Sequence, residues 1–186
     1  MKVTDSVILA DPGILFPLIF NIDDIKEIKK NLNLCIIPHY IDKDDLLIRN
    51  NIRVNKSFII NIEDDPFQFF NSLLKCKRVL SSSLHGLIIS DSFGIPNMRM
   101  IVSNKITGGD YKFKNYYSAY GIKAPLEIDI RKTIFTENQL YIIDSNYKIS
   151  MDLIKKKQCQ LIINFPYNLN KKFKLYKKSC KKNFKY

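Results

Sequence analysis

Apolar residues gather in short clusters along this chain, and polar or Gly/Pro turns separate them. Ser6-Val7-Ile8-Leu9-Ala10 reads as a strand that ends in the turn signal Asp11-Pro12-Gly13. Residues 14–20 are apolar almost throughout, and periodicity does not choose between helix and strand there. Asp23 and Asp24 open a helix that reaches Lys30, acids first and lysines last. Leu34-Cys35-Ile36-Ile37 is a compact run stopped by Pro38, the mark of a buried strand. Residues 43–51 read as a polar, partly helical surface piece, and residues 57–62 as another strand. Asp64-Asp65-Pro66 caps a helix predicted to reach about Lys77, with Phe67, Phe70, Leu73 and Leu74 spaced to face the core. Arg78-Val79-Leu80 is β-prone, the serine-rich turn Ser81-Ser82-Ser83-Leu84-His85-Gly86 follows, and an apolar helix runs on toward Gly94. Gly94 and Pro96 stop that helix, and residues 98–102 form the next strand. Gly108-Gly109-Asp110 is a loop, and Gly121 and Pro125 break the chain again. Two helices are expected within 136–163, parted near Asp144-Ser145-Asn146, and Pro166 closes that region.

Strand and helix alternate, which predicts an α/β fold: a mainly parallel, Rossmann-like sheet flanked by helices. Ligands of such sheets bind beyond the C-terminal ends of the strands. His39 follows one strand and the serine turn follows another, so their separation in sequence does not prevent a shared cleft. Serines ahead of a helix start are good caps. A helix N-terminus offers free N–H groups and a positive dipole end, which suits a phosphate or carboxylate. His85 falls in that first turn. A buried strand–helix junction around a satisfied histidine is the plainer reading of the same residues.

Charge changes the picture at one end only. The chain has 186 residues and a formal charge of +12, and apolar types make up 46% of it, enough for a real core. Residues 155–186 hold eleven lysines and no acid, which leaves residues 1–154 near +1. We therefore divide the chain into a body, 1–154, and a basic Lys/aromatic tail, 155–186, with Phe165, Tyr167, Phe173, Tyr176, Phe184 and Tyr186 among the lysines. Such a tail suits an anionic membrane surface. The plain alternatives are a frayed end or a helix packing its rings onto the body. Cys35, Cys76, Cys159 and Cys180 are far apart and show no metal spacing, so they read as reduced thiols of a cytoplasmic protein, with no metal site. No N-terminal leader pattern and no run of 18 apolar residues is present. Lys112-Phe113-Lys114-Asn115-Tyr116-Tyr117 mixes cations with rings, a weak sign of nucleic-acid binding, and no nucleic-acid partner is expected.

Five pieces occur in a telling order: Asp11-Pro12-Gly13, Ile36-Ile37-Pro38-His39-Tyr40-Ile41-Asp42, the serine turn 81–86, Gly94-Ile95-Pro96 and the 112–117 stretch. Together they resemble the C-terminal half of the polysaccharide pyruvyltransferase family over roughly residues 6–130. The resemblance implies one Rossmann-like domain of a two-domain enzyme with the GT-B glycosyltransferase architecture. It implies transfer of the enolpyruvyl unit of phosphoenolpyruvate onto a pair of sugar hydroxyls, forming a pyruvate ketal. The acceptor would be a cell-surface polysaccharide or lipid-linked glycan, made at the inner face of a membrane. No metal or organic cofactor is implied, and phosphoenolpyruvate is the donor substrate.

The Leu84-His85 pair would bind the donor. We take His85 as the candidate acid or phosphate partner and His39 as the second catalytic candidate, a base or an anion contact. Ser81, Ser82, Ser83, Leu84, Gly86, Lys112 and Lys114 are the substrate-binding candidates, and Asp42 and Asp91 either orient the histidines or cap turns. Some family members carry Arg immediately before Leu-His, where this chain has Ser83, so the donor's cation must come from Arg99, Lys105, Lys112 or Lys114. The chain is also about half the family's usual length, and the N-terminal domain is expected to lie outside it. Two rivals remain: a glycosyltransferase of the same fold using a nucleotide sugar, and a non-catalytic remnant docking on membrane or nucleic acid.

Overall fold

Five short strands form one all-parallel sheet in the order β2-β1-β3-β4-β5. The strands are β1 (Cys35–Ile37), β2 (Phe58–Ile59), β3 (Val79–Ser81), β4 (Asn97–Ile101) and β5 (Glu127–Asp129). Helices α1 (Leu46–Asn55), α2 (Pro66–Leu74), α3 (Leu84–Ser92) and α4 (Tyr111–Ser118) connect them in turn. Three more follow the sheet: α5 (Leu140–Asn146), α6 (Met151–Ile163) and α7 (Lys171–Asn183). The computed structural model describes residues 10–20, 28–55, 57–123, 126–165 and 171–183. The expected strand over 6–10 except Ala10, the helix start at Asp23-Asp24, the breaks at Pro125 and Pro166, and the rings of Tyr167, Phe184 and Tyr186 lie outside the described residues; residues 28–30, expected to end that helix, are not helical.

Strand pleating sorts the core. Successive side chains point to opposite faces, so Leu34 and Ile36 join Leu80, Met98, Met100 and Ile128 on one face, beneath Ile48 of α1 and Ile143 of α5. Cys35 and Ile37 turn the other way and meet Phe69 and Leu73 of α2. On that second side Ile14, Leu87 and Ile88 pack with Phe113, Tyr116, Tyr117 and Ile154, which ties α3, α4 and α6 together. A strand buried on both faces reads as a continuous apolar run, which is why the segment 34–37 was legible.

Several expectations change. The undecided segment 14–20 lies largely in a 3-10 helix, Pro12–Ile19, started by Asp11, whose Oδ1 accepts from Gly13 N–H at 2.7 Å. Helix α2 stops at Leu74 rather than Lys77, and Phe67 is 64% exposed, its ring edge-on to Phe20, while Phe69 takes the inward position. Asp65 caps two N–H groups, so the first turn is set by the cap and Phe67 falls on the outer side of it. Strand β5 was not foreseen, because Glu127-Ile128-Asp129 has one apolar residue in three and only pairing with β4 makes it a strand. The gap between α5 and α6 falls at 147–150, just after the expected position. Helix α6 also runs through the boundary drawn after residue 154.

The cysteines are not reduced thiols. Cys35 is bonded to Cys76, and Cys159 to Cys180. Sheet formation brings β1 beside the chain leaving α2, with Leu32 bridged to Cys76, and the first pair closes there. The second pair pins α7 against α6, where the Tyr176 hydroxyl also donates to Gln158 Oε1 at 3.1 Å. Spacing in sequence carries no trace of either pairing. Among the described residues no helix is long and apolar enough to cross a membrane, and no cluster of His, Cys, Asp and Glu could hold a metal ion.

Candidate functional site

The sheet order places a switch point between β1 and β3. From β1 the chain moves outward to β2, then crosses back to β3 on the other side of β1. Connections diverge there, and a crevice opens beyond the C-terminal strand ends. His39 leaves β1 and the serine turn leaves β3 at this edge, with Ile37 paired to Ser81 in the register. The two histidines therefore share one edge of the sheet.

The serines are spent on holding this junction. Ser81 is fully buried. Its hydroxyl donates to the Ile37 carbonyl oxygen at 2.7 Å and accepts from Ser83 N–H at 3.0 Å. Ser82 Oγ accepts from His39 N–H at 2.8 Å, which joins the two loops directly. Ser83 occupies the cap position of α3, but its side chain makes no cap hydrogen bond, contrary to the expected role. The reason is local: Ser81 has already folded back onto Ser83. Among the described residues no side-chain acceptor meets the first-turn N–H groups of α3, and His85 stands exposed in that turn.

Gly86 is a packing residue as much as a site residue. A Cβ there would lie 2.4 Å from Ser81 Oγ and 2.9 Å from Ile37 Cγ2, so only glycine lets α3 lean on β1 and β3. Leu84 is half-buried beside it.

His39 is half-buried and its ring lies 4.5 Å from that of Tyr40. Burial first, and then the nearby Lys112 ammonium, lower its pKa; Asp42 opposes this and His85 adds to it. Ile41 N–H donates to Nδ1 at 3.3 Å, so the neutral ring carries its proton on Nε2. Asp42 is buried, accepts from Ser103 Oγ at 2.6 Å through Oδ1, and leaves Oδ2 without a hydrogen-bond partner.

The cations differ sharply. Arg99 lies in β4 next to Ser81 in register, with its guanidinium 4.1 Å over the Phe113 ring. Asp110 at 2.6 Å and Glu127 at 2.8 Å already pair with it, and the Arg99 contact holds the Asp110 carboxyl below its usual pKa. Lys112 is half-buried near His39, and burial followed by the Arg99 charge lowers its pKa. Lys105 and Lys114 are exposed.

Two clefts flank this edge. One, of about 270 Å³, is lined by Ser82, Arg99, Ser103, Gly109, Asp110 and Phe113 among others. The second, of about 360 Å³, takes in Asp11, Leu84, Tyr111, Lys112, Asn115 and Tyr116. A further cavity of about 200 Å³, lined by Asn97, Tyr117 and Tyr147, lies toward the start of β4, away from the histidines.

Asp91, a candidate for orienting a histidine or capping a turn, is a buried hub. Asn97 Nδ2 donates to its Oδ1 at 2.6 Å and the Tyr116 hydroxyl to its Oδ2 at 3.0 Å. Burial nevertheless pushes its carboxyl up to about 7. It sits at the far end of α3 from His85, so it supports the helix and does not join the site.

A stretch of 126 residues is 36% identical to an uncharacterized protein of Acanthamoeba polyphaga mimivirus. That alignment takes in 66% of this chain and 43% of the viral protein, so the chain spans under half of its relative's length. No solved structure matches the chain. The family model for polysaccharide pyruvyl transferase matches residues 4–104, from ahead of the Asp11-Pro12-Gly13 turn past the end of β4, and the chain belongs to that family.

Proposed function

We propose that this chain is the donor-binding half of an enzyme that transfers a pyruvyl group from phosphoenolpyruvate to two hydroxyls of a glycan. The supporting observation is the switch-point cluster: an uncapped α3 N-terminus, His85 in its first turn, His39 hydrogen-bonded to the serine turn, and Lys112 close by. Phosphoenolpyruvate carries two anions on one small enol. Free N–H groups at the start of α3 suit one of them, and the Lys112 ammonium suits the other. Since Ile41 N–H occupies Nδ1, neutral His39 presents Nε2–H, which makes it an anion contact rather than the base. The hydroxyls of Ser81 and Ser82 hold the loops, so Ser83 and the backbone are the better contacts for the donor.

His85, as imidazolium, gives its proton to the methylene carbon of the enol, and the central carbon becomes electrophilic. One sugar hydroxyl adds there, and its proton passes to the phosphate oxygen. The C–O bond to phosphate breaks and inorganic phosphate departs. The second hydroxyl adds to the same carbon, its proton returns to His85, and the ketal closes. No oxidation or reduction occurs.

Thermal unfolding of the chain with phosphoenolpyruvate, and separately with a nucleotide sugar such as UDP-glucose, tests the donor. Saturating phosphoenolpyruvate at a hundredfold over Kd should add about 2.7 kcal/mol of stability. His85→Ala should remove that gain with little change in the unliganded melt. Stabilisation by UDP-glucose alone would move the assignment to a glycosyltransferase.

A further inference from the structure

Helix α7 is two-faced. Phe173, Tyr176, Lys177 and Cys180 turn toward the body, with Cys180 bonded to Cys159 and Lys172 Nζ donating to the Phe20 carbonyl oxygen at 2.7 Å. Lys174, Lys178, Lys181 and Lys182 are exposed on the opposite side. At 100° per residue they fall, with Leu175, inside an arc of about 120°. Leu175 is 59% exposed in this lysine field, and α7 contains no acid. Anchoring matters here: the disulfide and the Tyr176–Gln158 hydrogen bond fix which side faces out, so the lysines form one surface rather than a mobile tail.

We infer that the outer face of α7 docks on an anionic lipid surface. Charge complementarity supplies the attraction. Leu175 selects lipid over nucleic acid, since an exposed leucine amid lysines has apolar depth to enter at a headgroup boundary and nothing to read on a phosphate backbone. Each lysine held near such a surface is worth roughly fivefold in binding, so four together contribute on the order of several hundredfold. This inference stands apart from the donor assignment.

Cosedimentation of the full chain with phosphatidylserine-containing vesicles and with pure phosphatidylcholine vesicles tests it. The chain should pellet with the first at low salt, release at high salt, and stay in solution with the second. Replacing Lys174, Lys178, Lys181 and Lys182 together by Gln should abolish pelleting, and replacing them by Arg should keep it. Gln has helix propensity close to that of Lys, so α7 should persist, which far-UV circular dichroism checks. Leu175→Ala should weaken lipid binding and leave any DNA binding unchanged. Pelleting by the Gln variant, equal pelleting with neutral vesicles, salt-insensitive binding, or tighter binding to duplex DNA than to the anionic vesicles would each overturn the inference.

Discussion

Asp91→Asn isolates the cost of burying a carboxyl under the helix that carries His85. The side chain is fully buried, with one donor from Asn97 and one from Tyr116. Tyr147 also lies close enough to favour the ionised carboxyl, although its hydroxyl reaches no hydrogen bond of good geometry among the described residues. Two donors do not replace the water the carboxylate loses, so its pKa rises from 3.8 to about 7, burial being the largest cause. The folded state therefore binds this proton more tightly than the unfolded state does. The stability this confers is present below about pH 4, declines as pH rises, and is gone once pH passes about 7. A shift of about three units corresponds to an upper bound of ~4 kcal/mol, and relaxation around the ionised group reduces it to ~2 kcal/mol. Asparagine keeps the shape and removes the titration. Its carbonyl still accepts from Asn97, and its amide can donate to the Tyr116 oxygen. Urea unfolding of both proteins from pH 4.5 to 8 gives the comparison. The native protein should lose ~2 kcal/mol relative to the variant across that range, most of it before pH 7.5. Subtracting the two curves cancels every other titrating group, His39 included. Parallel curves would show that Asp91 is not desolvated as its burial implies, and would refute the reasoning.

Two further outcomes follow from packing. Gly86→Ala places a methyl against Ser81 Oγ and Ile37 Cγ2, and should cost ~2–3 kcal/mol in chemical denaturation while weakening phosphoenolpyruvate binding, because it prises α3 from the loop that holds His39. Unchanged stability would mean that α3 tolerates a shift at its start. Cys159→Ser opens a link spanning 21 residues and should cost ~3 kcal/mol, with faster amide exchange in α7; reductant, which can open Cys35–Cys76 as well, should cost the native protein at least as much. Identical melts with and without reductant would show that the bond is not formed.

The buried strand at 34–37, the helix after Asp65-Pro66, and the serine turn between β3 and α3 were all legible in the sequence. Each is written locally, in a continuous apolar run, a carboxylate cap followed by proline, or a turn stopped later by glycine and proline. Alternation of such elements carried the parallel α/β class, and the ordered motifs around His39 and His85 carried the family. What depends on partners far along the chain was not legible. Strand β5 exists through pairing with β4, and the cysteine pairs through sheet closure and the docking of α7. Ser81 and Ser82 look like caps in sequence, yet their hydroxyls are claimed by Ile37 and His39 across the switch point. Arg99 looks like a free cation for the donor, yet Asp110 and Glu127 close around it. Local pattern decides which elements form, because capping and burial act over a few residues. Only the folded sheet decides which polar groups remain available, because their partners lie tens of residues away in sequence.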